Sequence, residues 1–350
     1  MVLLSIIEQK SDGIISRAVR EKASDIHIVP ANSSSLIQLR IGHQLVTLEK
    51  IKISDAQKLI SHYKFRSKMD IGERRRPQNG SLNMVIKDEQ INLRISTLPT
   101  TPHESLSIRI LPQNEIVTID QLSLFKKHSV QLRSLMKKTY GLLLISGPTS
   151  SGKTTTIYSL LFNEVSRNRR IITIEDPIEK KTDSFIQVEI NEKAGLTYAE
   201  ALKAALRHDP DIIMIGEIRD VQTARIAIRA AMTGHLVIST IHANHSEGCI
   251  SRLREFGCGQ LDIKETLIGL VSQRLVNLAC PYCGSKCSSY CGLYSTKRRL
   301  AVYEILDGSS LQDVLANRLK KAKYEKLPQL ITKAIALGYV KETEYERWLR

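Results

Sequence analysis

The stretch "LLLISGPTSSGKTTTIYSL", residues 142–160, leads from an apolar run through a glycine-rich loop into a polar segment headed by Ser and Thr. The loop satisfies the spacing G-x-x-x-x-G-K-[ST] completely, with a predicted strand before it and a predicted helix after it. Gly147 and Gly152 allow the backbone to turn around a phosphate group, toward which the N–H groups of the loop and of the helix N-terminus point. We expect Lys153 to reach the β- and γ-phosphates of ATP and Thr154 to ligate Mg²⁺. The predicted nucleotide-binding residues are Gly147, Pro148, Thr149, Ser150, Ser151, Gly152, Lys153, Thr154 and Thr155.

Short apolar runs separated by helical stretches surround this loop and predict an α/β fold, with a parallel sheet covered on both faces. The helix that starts after Thr197 is expected to carry a capping box, because Glu200 follows at the S/T-x-x-E spacing. From about residue 261 onward the chain is predicted to be helical, interrupted by a cysteine cluster. The predicted strands are LLLIS (142–146), IITI (171–174), IIMI (212–215) and LVIST (236–240).

Acidic side chains follow two of these strands. Glu175 and Asp176 come after IITI, and Glu217 comes after IIMIG. The carboxyl ends of neighbouring parallel strands line one crevice, so both sites are expected to face the phosphate loop. Hydrolysis needs such a group to orient or deprotonate water, whereas a single loop carboxylate is usually only solvated. His242, at the carboxyl end of LVIST, is a better candidate phosphate sensor than His235, although packing roles are common for histidine.

Residues 1–112 are predicted to form a smaller α+β domain, and residues 113–350 the nucleotide-binding domain. Alternating strands are expected at SLIQLRIG (35–42), INLRIS (91–96) and SLSIRIL (105–111), with a helix at SDAQKLISHYKF (54–65) that Ser54 would cap. Arg94 and Arg109 lie on the polar sides of two of these strands. They either form an exposed basic face or neutralise γ-phosphate charge from another domain or subunit, a role that suits the planar guanidinium group.

The bulk composition restricts the class of protein. The chain has 350 residues, 42 % of them apolar, and no apolar run near the ~20 residues that span a bilayer. The N-terminal sequence has no pattern typical of a signal peptide, which predicts a cytoplasmic protein. The net charge of +15 is best explained by a generally basic surface. The specific alternatives are nucleic acid, an acidic membrane surface, or the phosphates of bound nucleotide plus an acidic partner, and among these we favour the membrane surface over direct DNA contact.

Four cysteines have the spacing C-x2-C-x3-C-x3-C. The first pair has the spacing of a zinc knuckle, so structural Zn²⁺ is the preferred interpretation. Unmetallated structural cysteines come second. A redox role for CPYC comes third, because that motif needs a thioredoxin-like context. The cysteines are Cys280, Cys283, Cys287 and Cys291.

Motifs along nearly the whole chain resemble, in order, those of the type II/IV secretion and pilus ATPases. Four stretches of this chain resemble, in order, the family's Walker A motif, Asp box, Walker B motif and His box. They are GPTSSGKTTTIYSL, TIEDPIE, LRHDPDIIMIGEIRD and AAMTGHLVISTIHANH. Three further stretches resemble parts of the family's amino-terminal domain: ASDIHIVP (23–30), LRISTLP (93–99) and ESLSIRIL (104–111). Within the family, the short length, the segment DIGERRRPQNGSL (70–82) and the compact cysteine cluster are most similar to the competence ATPases.

The resemblance implies a RecA-like P-loop core preceded by a PAS-like α+β domain, assembled as a ring-shaped homohexamer. It implies that Glu217 is the catalytic carboxylate, that Glu175 assists around Mg²⁺ and water, and that Arg94 and Arg109 reach the nucleotide. Ser150 stands where the family often has glycine, outside the required glycine positions, so binding is expected to survive.

The function implied is ATP-driven assembly of a competence pseudopilus for DNA uptake, on a polytopic inner-membrane platform protein. The ATPase would lie peripherally on the cytoplasmic face of the membrane, without direct nucleic-acid contact. Type II secretion and pilus retraction remain alternatives within the family. A RecA-like nucleic-acid translocase and a regulatory protein that holds nucleotide without hydrolysing it are alternatives from other classes.

Overall fold

The computed structural model describes residues 2–41, 44–86, 89–101, 103–112, 117–280 and 299–349. The chain divides into two units, residues 1–115 and 116–350. Within the described ranges no helix has both the length and the apolar character needed to cross a membrane.

The first unit is a six-stranded antiparallel sheet in the order β3-β2-β1-β6-β5-β4, with two helices. The strands are β1 (Asp25–Ala31), β2 (Ser34–Ile41), β3 (Gln44–Ile51), β4 (Gln78–Ile86), β5 (Glu89–Leu98) and β6 (Ser105–Pro112). The helices are α1 (Val2–Arg20) and α2 (Ile53–Arg66).

Alternating apolar residues build the core of this unit, as the sequence predicts for half-buried strands. Ile91, Leu93 and Ile95 of β5 are buried together with apolar residues of both helices. The predicted cap is wrong, because α2 begins one residue earlier than expected. Lys52 is the N-cap residue, without a side-chain cap, and Ser54 lies inside the first turn. The predicted likeness of this unit to PAS domains stays a prediction.

The second unit is built on a seven-stranded sheet in the order β13-β12-β7-β11-β10-β8-β9. All neighbouring strands are parallel except β12 and β13, which pair antiparallel. The strands are β7 (Gly141–Ser146), β8 (Ile171–Glu175), β9 (Ile186–Glu189), β10 (Ile212–Ile215), β11 (Leu236–Ile241), β12 (Leu267–Asn277) and β13 (Arg299–Asp307).

Helices cover both faces of this sheet. Leu142 and Leu144 of β7 belong to one apolar cluster, and Leu143 and Ile145 belong to another on the opposite face. The helices are α3 (Ile119–Leu122), α4 (Lys126–Met136), α5 (Lys153–Val165), α6 (Tyr198–Ala205), α7 (Val221–Met232), α8 (Ser246–Glu255), α9 (Gln260–Thr266), α10 (Gly308–Leu315), α11 (Leu327–Ala336) and α12 (Thr343–Leu349).

The predicted helical C-terminal part is wrong for β12 and β13, which are the strands next to β7 and at the sheet edge. In β12, Leu267, Leu270, Val271 and Leu275 recur at helical spacing. The strand is nevertheless buried on both faces, where an apolar run does not distinguish helix from strand. The strand packs tightly against α4 at Gly269, where an added Cβ would lie 3.0 Å from the Leu135 side chain.

A buried carboxylate of the edge strand β13 joins two helices to the sheet. Glu304 of β13 is 2 % exposed. Its Oε1 accepts a hydrogen bond from the N–H of Ser246 at 2.8 Å, and its Oε2 accepts one from the N–H of Leu327 at 2.9 Å. These two N–H groups belong to the first residues of α8 and α11, where helical N–H groups have no partner within the helix.

Candidate functional site

The glycine-rich loop connects the end of β7 to the start of α5. Gly152 is the N-cap residue of α5 with φ of 86°, a left-handed conformation that favours glycine. Gly147 has φ of 150°, and an added Cβ there would lie 2.6 Å from the carbonyl oxygen of Gln273. Both glycines are therefore required by the backbone, one by its conformation and one also by the close approach of β12.

Ser150 also adopts a left-handed conformation, with φ of 62°. This conformation disfavours residues with a Cβ atom and costs about 1 kcal/mol or more. The backbone here favours glycine without requiring it, and the expectation that nucleotide binding survives with Ser150 stays a prediction. Serine holds this conformation here at a local energetic cost.

Lys153 begins α5 and folds back over the loop. Its Nζ donates to the carbonyl oxygens of Gly147 at 2.8 Å and Pro148 at 3.1 Å. Burial lowers the pKa of Lys153, while the negative charge of Glu217 opposes this shift. The ammonium group is thus already held within the loop that is predicted to cradle the phosphates.

A cavity of about 280 Å³ lies beside the loop at the carboxyl ends of the strands. It brings together much of the predicted site, while Gly147, Pro148, Ser151, Gly152 and Thr155 belong to the loop and its helix but are not among the lining residues. The lining residues are Thr149, Ser150, Lys153, Thr154, Glu175, Asp176, Pro177, Glu179, Tyr198, Met214, Gly216, Glu217, Arg219, Thr240 and His242.

Glu217 follows β10 and points into this cavity. Its Oε1 accepts a hydrogen bond from Arg219, and its Oε2 lies 3.3 Å from Nε2 of His242. Burial raises the pKa of Glu217, but the hydrogen bond and charge of Arg219, together with His242, outweigh burial and hold the pKa below its ordinary value. Oε2 is buried, and no donor in the described ranges has hydrogen-bond geometry to it.

Glu175 ends the neighbouring strand β8 and is only 3 % exposed. Its Oε1 accepts hydrogen bonds from the hydroxyl groups of Tyr158 and Thr173, each at 2.7 Å. Burial raises the pKa of Glu175, and these two hydrogen bonds only partly oppose the shift. The two acids therefore line one cavity in different electrostatic states.

The two histidines that flank β11 have different surroundings. His242 at the carboxyl end has a side chain that is 60 % exposed and lies beside Glu217. His235, before the strand, lies 3.1 Å from the carbonyl oxygen of Ala230 and 3.2 Å from the hydroxyl of Thr233, through its Nδ1. His235 thus has the packing role that is common for histidine, and His242 lies in the candidate site.

The two predicted arginines belong to the first unit. Arg94 of β5 lies directly opposite Arg109 of β6 in the antiparallel register. Nε of Arg109 donates to Oδ1 of Asp25 at 3.0 Å, and its side chain remains 57 % exposed. The guanidinium groups of this pair therefore start from adjacent strand positions, and their proposed contact with nucleotide stays a prediction.

Sequence reasoning missed three polar residues around the cavity. Arg219 could have been found, because it stands only two residues after Glu217, in the same segment between β10 and α7. Tyr198 gives no comparable signal at the start of α6. Gln273 of β12 is 1 % exposed and donates through Nε2 to the carbonyl oxygen of Ser151 at 2.7 Å. It was missed because β12 was predicted to be helical.

The site residues fit a magnesium–nucleotide complex. A threonine hydroxyl and carboxylate oxygens are hard ligands of the kind that Mg²⁺ prefers beside phosphate. Of the predicted zinc ligands, Cys280 is described, whereas Cys283, Cys287 and Cys291 lie outside the described residues. Within the described residues there is no group of three or more His, Cys, Asp or Glu that could hold a metal ion. The zinc site stays a prediction.

Comparison with known proteins gives consistent relatives. The family described as "Type II/IV secretion system protein" matches residues 3–347. The chain is 49 % identical over 348 residues to "Competence protein ComGA" of Bacillus subtilis (strain 168), covering 98 % of each chain. It is 39 % identical over 273 residues to "Type II secretion system protein E" of Aeromonas hydrophila, covering 78 % of this chain and 54 % of that protein.

Among solved structures, the pilus retraction motor PilT with bound ADP is similar, with a TM-score of 0.71 and 26 % identity. The match covers 96 % of this chain and 95 % of that chain. The predicted α/β fold class is confirmed by the observed sheet and by this likeness.

Proposed function

Because this chain belongs to the family of type II/IV secretion system proteins, we propose that it hydrolyses ATP to power assembly of a competence pseudopilus for DNA uptake. One observation carries the enzymatic part of the proposal. Glu217, whose buried Oε2 accepts no hydrogen bond of good geometry within the described residues, lines the same cavity as Lys153 and Thr154. An ionised carboxylate beside the phosphate loop is what hydrolysis of a nucleoside triphosphate requires.

Each residue has a definite part in this proposal. Lys153 exchanges its loop carbonyl partners for the β- and γ-phosphate oxygens of ATP. Glu217 orients the attacking water and accepts its proton, while Glu175 helps to hold the water and ligand shell in place. His242 contacts the terminal phosphate from the end of β11. Bound Mg²⁺, held by Thr154 and phosphate oxygens, would neutralise charge that develops on the transferred group.

The motor part of the proposal concerns the two units. Arg94 and Arg109 grip the terminal phosphate from the first unit of the same or a neighbouring subunit, so that ATP binding draws the units together. Hydrolysis removes the group that they grip, and the connecting segment absorbs the resulting rotation. That segment, placed at about residues 111–115, lies mostly outside the described residues. Repeated around a homohexameric ring, this cycle would drive a polytopic platform protein from the cytoplasmic face of the inner membrane.

Similarity supports competence over the other family roles. The relative named for competence matches this chain end to end, whereas the chain spans about half of the type II secretion relative. The resemblance of the cysteine cluster to that of assembly ATPases favours assembly over the retraction role of PilT. Type II secretion and retraction remain the second candidates, and a nucleic-acid translocase the third.

The decisive experiment combines a deletion with complementation in the source organism. Deletion of the gene is expected to abolish both pseudopilus assembly and uptake of transforming DNA. The parent gene should restore both, and Lys153→Ala should restore neither. Lys203→Ala is the matched control, since this exposed lysine forms an ion pair with Glu200 of the same helix and does not line the cavity. Normal transformation by the Lys153→Ala strain at normal protein level would refute the motor function.

A biochemical experiment separates the translocase. ATP hydrolysis by the purified chain is expected to be insensitive to added single- or double-stranded DNA. Strong stimulation by DNA that disappears with increasing salt would favour the translocase over the pseudopilus motor.

A further inference from the structure

The loop that carries His242 is anchored by a residue outside the cavity. Arg274 of β12 is partly buried, and its Nη2 donates to the carbonyl oxygen of Asn244 at 2.8 Å. Its Nη1 donates to the carbonyl oxygen of Gln273 at 3.0 Å, within its own strand. Because Asn244 stands two residues after His242, this guanidinium group fixes the backbone that places the histidine. Arg274 is not itself among the residues that line the cavity.

The other side of Arg274 faces the last helix of the described chain. Its guanidinium carbon lies 5.4 Å from the centre of the Trp348 ring in α12. Glu344 of α12 accepts hydrogen bonds from Nε1 of Trp348 at 2.9 Å and from the side-chain amide of Asn277, at the end of β12. The helix is therefore held against β12 at two points, one of which is the same arginine that holds the His242 loop.

The residue before Arg274 makes a corresponding contact with the phosphate loop. Gln273 donates to the carbonyl oxygen of Ser151 at 2.7 Å. Successive residues of a strand point to opposite sides, so this dipeptide contacts the phosphate loop with one side chain and the His242 loop with the next. Two further contacts tie the start of α8 to the C-terminal segment, from Glu247 to Tyr324 at 2.5 Å and to Lys326 at 3.1 Å.

We propose that Arg274 is a positioning residue: it sets the placement of His242 beside Glu217 and couples that placement to helix α12 through Trp348. This inference rests on the proposed ATPase function, because it assigns His242 a bound nucleotide to contact. A nucleotide that draws the His242 loop inward pulls on the Asn244 carbonyl, and Arg274 transmits the displacement to the Trp348 ring. Conversely, a load on α12 alters the site that hydrolyses ATP.

The chain contains its own probe, since Trp348 is the one tryptophan in its 350 residues. Adding the Mg²⁺ complex of the non-hydrolysable analogue AMP-PNP to the parent protein is expected to change the tryptophan emission. Arg274→Ala should abolish this nucleotide-dependent change and lower kcat roughly tenfold, as expected when a reacting geometry is loosened. Affinity for a fluorescent nucleotide analogue should remain similar, because the phosphate-loop contacts are kept. Arg274→Lys, which retains a donor, should recover part of kcat and of the signal.

Arg347→Ala is the matched control. This arginine lies 4.5 Å from the same ring but is carried by α12 itself. The variant should alter the basal emission and keep both the nucleotide-dependent change and kcat. Thermal unfolding of every variant reports whether it is folded.

The outcomes separate this inference from the function on which it rests. If the parent binds no nucleotide, the proposed function fails and the inference fails with it. If the parent binds and hydrolyses ATP but its emission does not respond, or if Arg274→Ala keeps the full response and kcat, the coupling is refuted while the ATPase function stands. Should Arg274→Ala fail to fold, Arg274→Lys and Trp348→Leu decide, and unchanged kcat in both would overturn the inference.

Discussion

The ends of β8 and β10 present carboxylates to one cavity under opposite conditions. At the end of β8, Glu175 is buried and accepts hydrogen bonds from two hydroxyl groups, and burial raises its pKa. At the end of β10, Glu217 is also partly desolvated, but Arg219 and His242 hold its pKa below the ordinary value. Position at a strand end therefore does not settle the role of an acid, and the neighbouring cations and donors do.

The largest expected effect tests the ionised member of the pair. Glu217→Gln should lower kcat for ATP hydrolysis by about 10²- to 10⁴-fold, because the group proposed to accept the proton from water is lost. Nucleotide binding should be retained, since the phosphate loop is unchanged. Glu189→Gln is the control, an exposed carboxylate that ends β9 opposite Glu175 in the register. Turnover equal to that of the parent would remove Glu217 from its assigned role.

The corresponding change at the end of β8 should have a smaller effect. Glu175→Gln is expected to lower kcat roughly tenfold, less than the loss of a general base, because this buried group acts on the ligand shell rather than on the proton. Tyr158→Phe removes one of its donors and should lower the free energy of unfolding by about 1 kcal/mol. Steady-state kinetics and urea unfolding measure the two effects. Equal losses of kcat at the two acids would mean that their different surroundings do not separate their roles.

A third change should make the surroundings of Glu217 more like those of Glu175. Arg219→Gln removes the hydrogen bond and charge that lower the pKa of Glu217, so burial should dominate and the pKa should rise. A base works only when ionised, so the acidic limb of the pH profile of kcat should move to higher pH, by about one unit. Arg229→Gln, an exposed arginine of α7, is the control and should leave the limb in place. An unmoved limb in Arg219→Gln would show that Glu217 does not control it.

The smallest effect compares the two acids through stability. The pKa of Glu217 is lowered from 4.5, so its contribution is present above that pH and is lost as pH falls through the lowered pKa. The pKa of Glu175 is raised from 4.5, so the parent loses stability as pH rises through that raised value.

The two amide variants should therefore change in opposite directions with pH, Glu217→Gln below about pH 4.5 and Glu175→Gln above it. Relative to the parent, Glu217→Gln should lose free energy of unfolding as pH rises, and Glu175→Gln should gain it. Urea unfolding of both variants and the parent in the same buffers measures the difference. Parallel changes would contradict the assigned environments.

Much of the fold and of the cavity could be predicted from short-range patterns. The strands around 142–146, 171–174, 212–215 and 236–240 are apolar and end in glycine or polar residues, and all four are present. Placing Glu175, Glu217 and the phosphate loop at one edge needs only the rule for parallel strands.

Local sequence patterns gave wrong predictions where contacts between residues distant in sequence determine the structure. Strand β12 has a helix-like apolar spacing, and only its pairing with β7 and β13 makes it a strand. Its polar residues Gln273 and Arg274 gain their partners through that pairing, so they could not be recognised as part of the site. The left-handed backbone of Ser150 was missed because serine gives no sign of such a conformation in a single sequence.

Glu304 couples the stability of two helix N-termini, those of α8 and α11. Each of its carboxylate oxygens serves the first N–H group of a different helix, α8 or α11. If the start of either helix opens, the Glu304 carboxylate stays buried with only one of these two backbone donors. The start of the other helix is then destabilised as well. Amide hydrogen exchange should therefore occur at Ser246 and Leu327 with one common opening energy, although 81 positions separate them along the chain.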